Sequence, residues 1–290
     1  MDHTWSENTV KAYKSRWNRY NDFCDEFGLL ALPASVETIC LYLTQLMKKL
    51  CYITIVNYLS SVWVLHDYMG FKRVDPSTFL IQATLKGIKR LIGNEARQVD
   101  PLSPQDLHKI YDTLDMSDWS DFQFWVAVVL SYRCLLRVGH VTLSPHSLRV
   151  RDISFWKGGM DVSLHSSKTI QCKERVNRIP VVEAVNSILC PVAALRIYLG
   201  RSGRGPDCHL FTYTYRTYSA RLKKACAQAG LVGDFGSHSL RRGSATFLAT
   251  FLPLHQVKAY GDWRSWSVLL YLADDYKSRK NKDWLVADML

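Results

Sequence analysis

Residues 237–247 read SHSLRRGSATF, and residues 260–272 read YGDWRSWSVLLYL. His238 and Arg241 are three residues apart, a spacing that places them one turn apart on the same face of a helix, which Ser237 can cap. An imidazole and a guanidinium beside a helix N-terminus make a good site for a phosphate. A bare H-x-x-R pair is common by chance, however, so by itself it favours an ordinary capped helix with surface charges.

The second stretch predicts a helix that ends at Gly261, a turn that contains Trp263, and a short helix that carries Tyr271 eight residues later. Aromatic residues in helical regions usually serve the core, and we assign Tyr260 and Trp266 to that ordinary packing role. For Trp263 and Tyr271 both packing and chemistry are open at this point. The order of the other motifs decides between the two readings.

The composition favours a polyanionic partner. The chain has 290 residues, enough for two domains, and its 37 Lys and Arg against 26 Asp and Glu give a net charge of +11. Such a surplus points to nucleic acid before membrane, although a basic enzyme without a nucleic-acid role explains it as well. The first hundred residues carry 12 basic and 10 acidic side chains, so most of the surplus lies in the C-terminal part.

Several classes of protein are disfavoured. The eight cysteines form no C-x-x-C pair and no zinc-finger spacing, a usage that suits a reducing compartment. No apolar stretch is long enough to span a bilayer, the first ten residues lack a signal-peptide pattern, and no G-x-x-x-x-G-K-[ST] motif is present. We therefore expect a soluble intracellular protein without a membrane, metal or nucleotide cofactor.

The hydrophobic periodicity predicts a mainly α protein with a small antiparallel β-sheet. Residues 1–94 predict a helical domain, the polar segment 95–102 a linker, and residues 103–290 a second domain. The predicted helix starts in the first hundred residues are Asn8-Thr9, Ser35, residue 52 and Pro76-Ser77. In the second domain Ser103-Pro104 opens a helix, and an apolar helix covers about 119–137. Three segments with strand-like composition predict the sheet: 148–156, 159–167 and 175–182.

In chain order the motifs are an arginine in a helix, a lysine in a β-hairpin, H-x-x-R, G-x-W and a tyrosine. This order resembles the order of the motifs in the tyrosine recombinase/integrase family. The HSLRRGSATF run is similar to the H-x-L-R-x-x-x-A-T box of that family, and GDWRS resembles the box that usually reads G-H, with Trp in place of His. The G-x-W-x-S version looks most like recombinases of eukaryotic mobile elements of the Crypton or DIRS/Ngaro type. The resemblance covers the whole chain and implies a helical, SAM-like core-binding domain, a linker and a catalytic domain.

The resemblance implies a catalytic set of Arg137, Lys168, His238, Arg241, Trp263 and Tyr271, with Tyr271 as the nucleophile. Arg133, Lys173 and Tyr276 are the alternatives for the first arginine, the lysine and the tyrosine. One position departs from the family pattern, since an acidic residue usually follows the first arginine by three residues and here that residue is His140. Another group must then orient Arg137, or that role is absent.

The implied reaction is site-specific cleavage and rejoining of double-stranded DNA through a 3′-phosphotyrosyl link, without metal, in a DNA-bound tetramer. It would integrate or excise a mobile element, in the nucleus if the host is eukaryotic. Five residues of the first domain are plausible DNA contacts: Lys11, Lys14, Lys86, Lys89 and Arg90. The apolar tail residues Trp284, Leu285 and Leu290 are expected to dock on a neighbouring protomer or, equally well, on their own domain. A type IB topoisomerase, a silent DNA-binding protein derived from a recombinase, and a basic scaffold remain alternatives.

Overall fold

The computed structural model of the protein describes residues 5–94, 98–167, 169–170 and 174–272. The chain divides into two compact units, Met1–Arg97 and Gln98–Leu290. The predicted fold class is confirmed, because the chain is mainly helical with one small antiparallel sheet. None of the helices in these ranges is both long and apolar enough to cross a bilayer.

Within residues 5–94, the first unit contains four helices around one apolar core. Their bounds are Glu7–Glu26 (α1), Val36–Met47 (α2), Tyr52–Met69 (α3) and Phe79–Ile92 (α4). Each helix contributes one face to the core, whose fully buried side chains include Tyr20, Tyr42, Ile55 and Ile81. The unit is therefore held by ordinary burial of apolar side chains, and its charged side chains are free to face outward.

The starts of these helices test the capping predictions. Ser35 caps α2 as expected, because its hydroxyl accepts a hydrogen bond from the N–H of Thr38 at 3.1 Å. Helix α1 begins earlier than predicted, with Ser6 as its cap in place of Asn8-Thr9. Helix α4 begins later than Pro76-Ser77, because Asp75 accepts a hydrogen bond from the Ser77 N–H at 2.7 Å and thereby closes a turn before the helix.

The second unit is built around one largely buried helix, Trp119–Arg133. Its helices are Pro104–Asp112 (α5), Trp119–Arg133 (α6), Val138–Val141 (α7), Pro191–Ser202 (α8), Tyr215–Gln228 (α9), Ser237–Leu248 (α10) and Leu254–Tyr260 (α11), with 3₁₀ turns at Val150–Asp152 and Trp266–Tyr271. Ser103 caps α5 as predicted, with Pro104 in its first turn. Most of the side chains of α6 are buried, which agrees with its apolar sequence.

The sheet has the predicted number of strands and their predicted antiparallel pairing. The strands are Ile153–Trp156 (β1), Gly159–Leu164 (β2) and Asn177–Val182 (β3), in the order β1-β2-β3. Trp156 pairs with Gly159, so the first hairpin turns at Lys157-Gly158, where Gly158 has a φ of 88°. That φ is easily adopted only by glycine.

The predicted helix 119–137 is shorter in the structure. Helix α6 ends at Arg133, and Leu135 has a φ of 46°, a left-handed conformation that interrupts the helix. Arg137 consequently lies outside α6 and occupies the N-cap position of the short helix α7. The break places a backbone carbonyl and an arginine beside the catalytic candidates, as described below.

Residues 98–102, which we expected to belong to a linker, are an integral part of the second unit. The N–H of Asp100 donates to the Asp234 carbonyl at 2.8 Å, and the N–H of Leu102 donates to the Ser239 carbonyl at 3.1 Å. The Leu102 side chain is fully buried. This segment packs so closely on α10 that a Cβ added at Gly243 would lie 1.8 Å from the Leu102 carbonyl oxygen.

Candidate active site

Helix α10 carries the H-x-x-R pair. The helix begins at Ser237 and its N-cap is Gly236, so the prediction that Ser237 is the cap is wrong by one residue. The Gly236 N–H donates to the hydroxyl of Ser239 at 3.0 Å. His238 is exposed, whereas Arg241 has only 2% of its surface exposed. The pair therefore combines an accessible imidazole with a buried guanidinium.

Two backbone carbonyl groups hold the guanidinium of Arg241. One Nη donates to the carbonyl of Leu135, and the other donates to the carbonyl of Gly261 at 2.5 Å. A guanidinium has five N–H groups, so about three remain for a ligand. One of these is on Nε, which is buried and has no partner within the described ranges. The buried arginine is thus fixed in place by two of its N–H groups, and the backbone carbonyls leave the others unused.

Trp263 lies against the flat face of this guanidinium. The centre of its ring is 4.1 Å from the guanidinium carbon of Arg241, a cation–π contact, and 7% of the residue is exposed. Gly261 makes room for the ring, because a Cβ at that position would lie 1.6 Å from the Trp263 ring. The turn after α11 thus positions the tryptophan by close packing that requires glycine.

Tyr271 lies at the end of the 3₁₀ turn Trp266–Tyr271 and is partly buried. Its ring centre is 5.1 Å from that of Trp263 and 6.3 Å from that of His238. The guanidinium carbon of Arg241 is 5.6 Å from the Tyr271 ring centre. The structure therefore brings together four of the six predicted catalytic residues, which come from three separate elements of the chain.

Arg137 lies near this group, since its positive charge acts on both Arg241 and Asp262. Within the described ranges nothing accepts a hydrogen bond from its guanidinium, and its positive charge lowers the pKa of Arg241. Arg133, the alternative, is the last residue of α6. Burial raises the pKa of its neighbours Tyr132 and Cys134, and the charge of Arg133 opposes that shift. Of the two arginines, the electrostatics favour Arg137 as the one beside the site.

The electrostatic balance at Arg241 reflects its burial. Burial lowers the pKa of Arg241 to about 10, and the charge of Arg137 acts in the same direction, whereas Tyr271 and Asp262 raise it. At neutral pH the guanidinium is still charged. The two neighbouring cations Arg137 and Arg241, whose charge Asp262 offsets in part, form a site that favours an anion such as a phosphate.

His140, which replaces the acidic residue of the family pattern, is buried with 3% exposure. Burial lowers its pKa to about 3, and the charge of Arg137 contributes to the same shift. Its Nδ1 has no hydrogen-bond partner in the part of the chain that the structure describes. His140 is therefore a neutral imidazole at neutral pH and does not provide the counter-charge that a carboxylate would give Arg137.

Several of the predictions fall outside the described residues. They are Lys168, its alternative Lys173, the alternative nucleophile Tyr276, and the tail residues Trp284, Leu285 and Leu290. These assignments stay predictions from the sequence. The structure does describe Ser167 and Thr169, the chain neighbours of Lys168.

The chain is similar in sequence to one recombinase and matches no protein-family model. The integrase/recombinase xerD homolog of Selenomonas ruminantium is 27% identical over 263 residues, which cover 86% of this chain and 76% of that protein.

Three solved structures are similar in fold. The Tn1549 transposon integrase in complex with transposon right end DNA has a TM-score of 0.68 at 14% identity and covers 98% of this chain and 95% of its own. XerH site-specific recombinase bound to palindromic difH substrate has a TM-score of 0.64 at 15% identity, with 92% and 76% covered. A lambda integrase dimer bound to a COC' core site has a TM-score of 0.61 at 17% identity, with 95% and 92% covered.

These findings support the tyrosine recombinase/integrase family. The solved structures, at such low identity, show the fold alone. None of the proteins compared supports a Crypton or DIRS/Ngaro subtype, which stays a prediction from the GDWRS sequence.

The basic residues of the first unit are accessible, as binding to a DNA backbone would require. All five predicted contacts are exposed: Lys11, Lys14, Lys86, Lys89 and Arg90. The three on α4 line a groove together with Tyr52 and Phe79, and the ammonium of Lys89 lies 5.6 Å from the centre of the Tyr52 ring. Lys11 differs from the others, because Glu7 already pairs with it at 2.6 Å. The groove on α4 therefore presents three basic side chains, whereas on α1 one of the two lysines is already paired with a carboxylate.

The sequence reasoning missed three contributors to this site. The carbonyl groups of Leu135 and Gly261 fix Arg241, and Asp262 bonds to Thr169 and Arg175. Backbone carbonyls leave no trace in a residue pattern. Asp262 stands between the two recognisable residues of G-x-W, and its partner Thr169 is 93 residues away, so no local pattern connects them.

Proposed function

We propose that this protein is a site-specific DNA recombinase in which Tyr271 attacks a DNA backbone phosphate. The observation that carries the proposal is the convergence of His238, Arg241 and Trp263 around the Tyr271 ring, within the distances given above. Its finer parts are a mobile-element role, integration or excision, and action in the nucleus of a eukaryotic host. They rest on the sequence resemblance.

The phosphate binds where cations and donors converge. Arg241 retains free N–H groups, and Arg137 makes no hydrogen bond to the residues described, so both can donate to the non-bridging oxygens. These oxygens gain charge in the transition state, and fixed donors aimed at developing charge are usually the largest catalytic contribution. The indole N–H of Trp263 adds a donor that does not titrate.

In the first step the hydroxyl oxygen of Tyr271 forms a bond to phosphorus, and the bond from phosphorus to the 5′ oxygen breaks. The phenol passes its proton to His238 or to a neighbouring base as the bond forms. Lys168 gives a proton to the departing 5′ oxygen. The product is a 3′-phosphotyrosyl link and a free 5′-hydroxyl.

In the second step a 5′-hydroxyl from another strand attacks the phosphotyrosine and releases Tyr271. The phosphotyrosine conserves the energy of the broken bond, so no nucleotide cofactor is consumed. Exchange between two duplexes requires several protomers on DNA, and we propose a tetramer. The groove lined by Lys86, Lys89 and Arg90 would hold the DNA backbone through its positive charge.

Covalent capture tests the proposal. The protein is incubated with a pool of short duplexes that have a randomised central sequence and a nick, so that the short cleaved fragment diffuses away. Denaturing electrophoresis should then show a protein–DNA band for the wild type and none for Tyr271→Phe. Tyr260→Phe is the matched control, since Tyr260 is a half-exposed tyrosine at the end of α11 and should retain the band.

The result separates the alternatives. No band for the wild type would leave only a silent DNA-binding protein or a scaffold, and a band that persists in Tyr271→Phe would move the nucleophile, with Tyr276 tested next. Joining of the captured strand to a second duplex supports recombination. Resealing of its own strand alone would instead indicate an enzyme of the type IB topoisomerase kind.

A further inference from the structure

Asp262 makes two long-range hydrogen bonds from the turn that precedes Trp263. Its carboxylate accepts from the hydroxyl of Thr169 at 2.5 Å and from a guanidinium N–H of Arg175 at 2.5 Å. The Asp262 side chain is 16% exposed, and its φ of 54° is a left-handed conformation that aspartate tolerates better than most residues. A largely buried carboxylate with two donors is well fixed in position.

The first of these bonds extends into the loop between β2 and β3. The Thr169 hydroxyl has one hydrogen, which it donates to Asp262, so the hydroxyl of Ser167, 2.8 Å away, must donate to Thr169. Ser167 is buried, and its backbone pairs with that of Ile170 in both directions. Asp262 is thus connected to the residues that come immediately before and after Lys168 in the sequence.

The same turn also touches the phosphate-binding group. Gly261, next to Asp262, accepts the hydrogen bond from Arg241, and Trp263 stacks on that guanidinium. A second ion pair joins the two segments, since Arg264 donates to Glu174 at 2.7 Å. One four-residue turn therefore contacts both the buried arginine and the described parts of the β2–β3 loop.

We propose that Asp262 is a positioning residue that holds Thr169, and through it Ser167, against the turn that contacts Arg241, and that it thereby supports the general acid Lys168, which stands between them in the sequence. The inference rests on the proposed function, in which Lys168 protonates the 5′ oxygen. Lys168 is bonded covalently to Ser167 and Thr169, and consecutive Cα atoms are about 3.8 Å apart, so a change in the position of Thr169 is passed directly to its neighbour. A purely structural ion pair would instead stabilise the fold without affecting protonation of the leaving group.

The test uses two substrates that carry the sequence recovered by covalent capture. In one the scissile bridging atom is the normal 5′ oxygen, and in the other it is sulfur. A thiolate leaves without protonation because thiols have a reference pKa near 8.5, so the sulfur substrate does not need the general acid. Single-turnover cleavage is measured for wild type, Asp262→Asn, Thr169→Val, Lys168→Ala and Arg241→Ala.

With oxygen, Asp262→Asn and Thr169→Val should slow cleavage by about 10- to 100-fold, the scale of a misplaced catalytic group. With sulfur, both should return to near the wild-type rate, as should Lys168→Ala. Arg241→Ala should stay slow on both substrates. The matched control is Glu183→Gln, which breaks a carboxylate–arginine pair with Arg196 elsewhere in the unit and should cleave both substrates at the wild-type rate.

A second measurement requires no DNA. Lys168, Lys173 and Arg175 are trypsin sites, so removal of the Asp262 carboxylate should increase cleavage of the β2–β3 loop, detected by mass spectrometry. Wild-type rates for Asp262→Asn, or a defect that sulfur does not relieve, would overturn the positioning role. A wild-type protein that captures no DNA would instead count against the proposed function, which keeps the two failures distinct.

Discussion

Arg241 and Trp263 are in direct contact, with the guanidinium carbon 4.1 Å from the centre of the indole ring. The ring covers one face of the guanidinium, while the Leu135 and Gly261 carbonyls accept hydrogen bonds at its edge. Arg241 is thus a packed core residue and, in the proposed function, also the cation that binds the phosphate. Fold stability and catalysis should therefore be coupled at this residue.

Arg241→Lys should impair both properties although it keeps the charge. A lysine has no planar fork to satisfy two carbonyls and no flat face for Trp263. We expect the free energy of unfolding to fall by about 2–3 kcal/mol, from buried acceptors left unpaired, and covalent capture to be abolished. Urea unfolding and the capture assay measure the two effects.

The neighbouring Arg242→Lys is the matched control for that substitution. Arg242 is partly exposed and donates to the side chain of Gln98 and to the Val99 carbonyl. Arg242→Lys should lower the free energy of unfolding by less than about 1 kcal/mol, as is usual for partly exposed residues, and the variant should still capture DNA. Equal effects of the two lysine substitutions would contradict the special position of Arg241.

Gly243→Ala should destabilise the second unit by about 1–3 kcal/mol. The added Cβ would meet the Leu102 carbonyl at 1.8 Å, and backbone cannot move aside cheaply. Gly200→Ala is the comparison, because that helical glycine on α8 has open space around its missing Cβ. It should be neutral or stabilising by up to about 1 kcal/mol, from helix propensity. Thermal unfolding of both variants and of the wild type measures the two changes in stability.

The buried His140 predicts a pH dependence. Its pKa is lowered to about 3 in the folded protein, against about 6.5 for an exposed histidine. Between these values the unfolded chain binds a proton that the folded protein excludes, so stability falls as pH falls through this window. From pH 7 to 5 the contribution is about 2 kcal/mol for this one group.

His140→Leu removes the titrating group, and its stability should therefore decline less than that of wild type between pH 7 and 5. The measurement is the free energy of unfolding at both pH values, compared as a difference between the two proteins. Identical declines would show that His140 is not excluded from protonation in the folded state.

The groove on α4 predicts how DNA binding depends on salt. Replacing Lys86, Lys89 and Arg90 by glutamine should weaken binding and flatten the plot of log affinity against log salt by about 0.9 for each phosphate that is no longer neutralised. Lys11→Gln should change the slope less, because Glu7 already neutralises that charge. Fluorescence anisotropy with one labelled duplex over a salt series measures both slopes. An unchanged slope in the triple variant would place the DNA surface elsewhere.

The sequence alone determined the order of the elements and the residue types of the site. Helical periodicity, the Ser35 and Ser103 caps and the strand-like segments were sufficient because each depends on interactions within a few residues of the chain. The H-x-x-R, G-x-W and Tyr271 order indicated the family because it matches the order of that family's motifs, whereas the chemistry itself needs those side chains only to be close in space. Helix ends were less certain, and the break at Leu135 left no local signal.

Only the tertiary structure decided how these residues meet. The carbonyl groups that hold Arg241 belong to Leu135 and Gly261, one of them 106 residues away, and the carboxylate of Asp262 reaches a loop 93 residues earlier. Such partners are selected by the packing of helices and loops in space, because a hydrogen bond depends on a separation of about 3 Å and not on distance along the chain. Residue type fixes which groups can react, and packing fixes which of them lie close enough to do so.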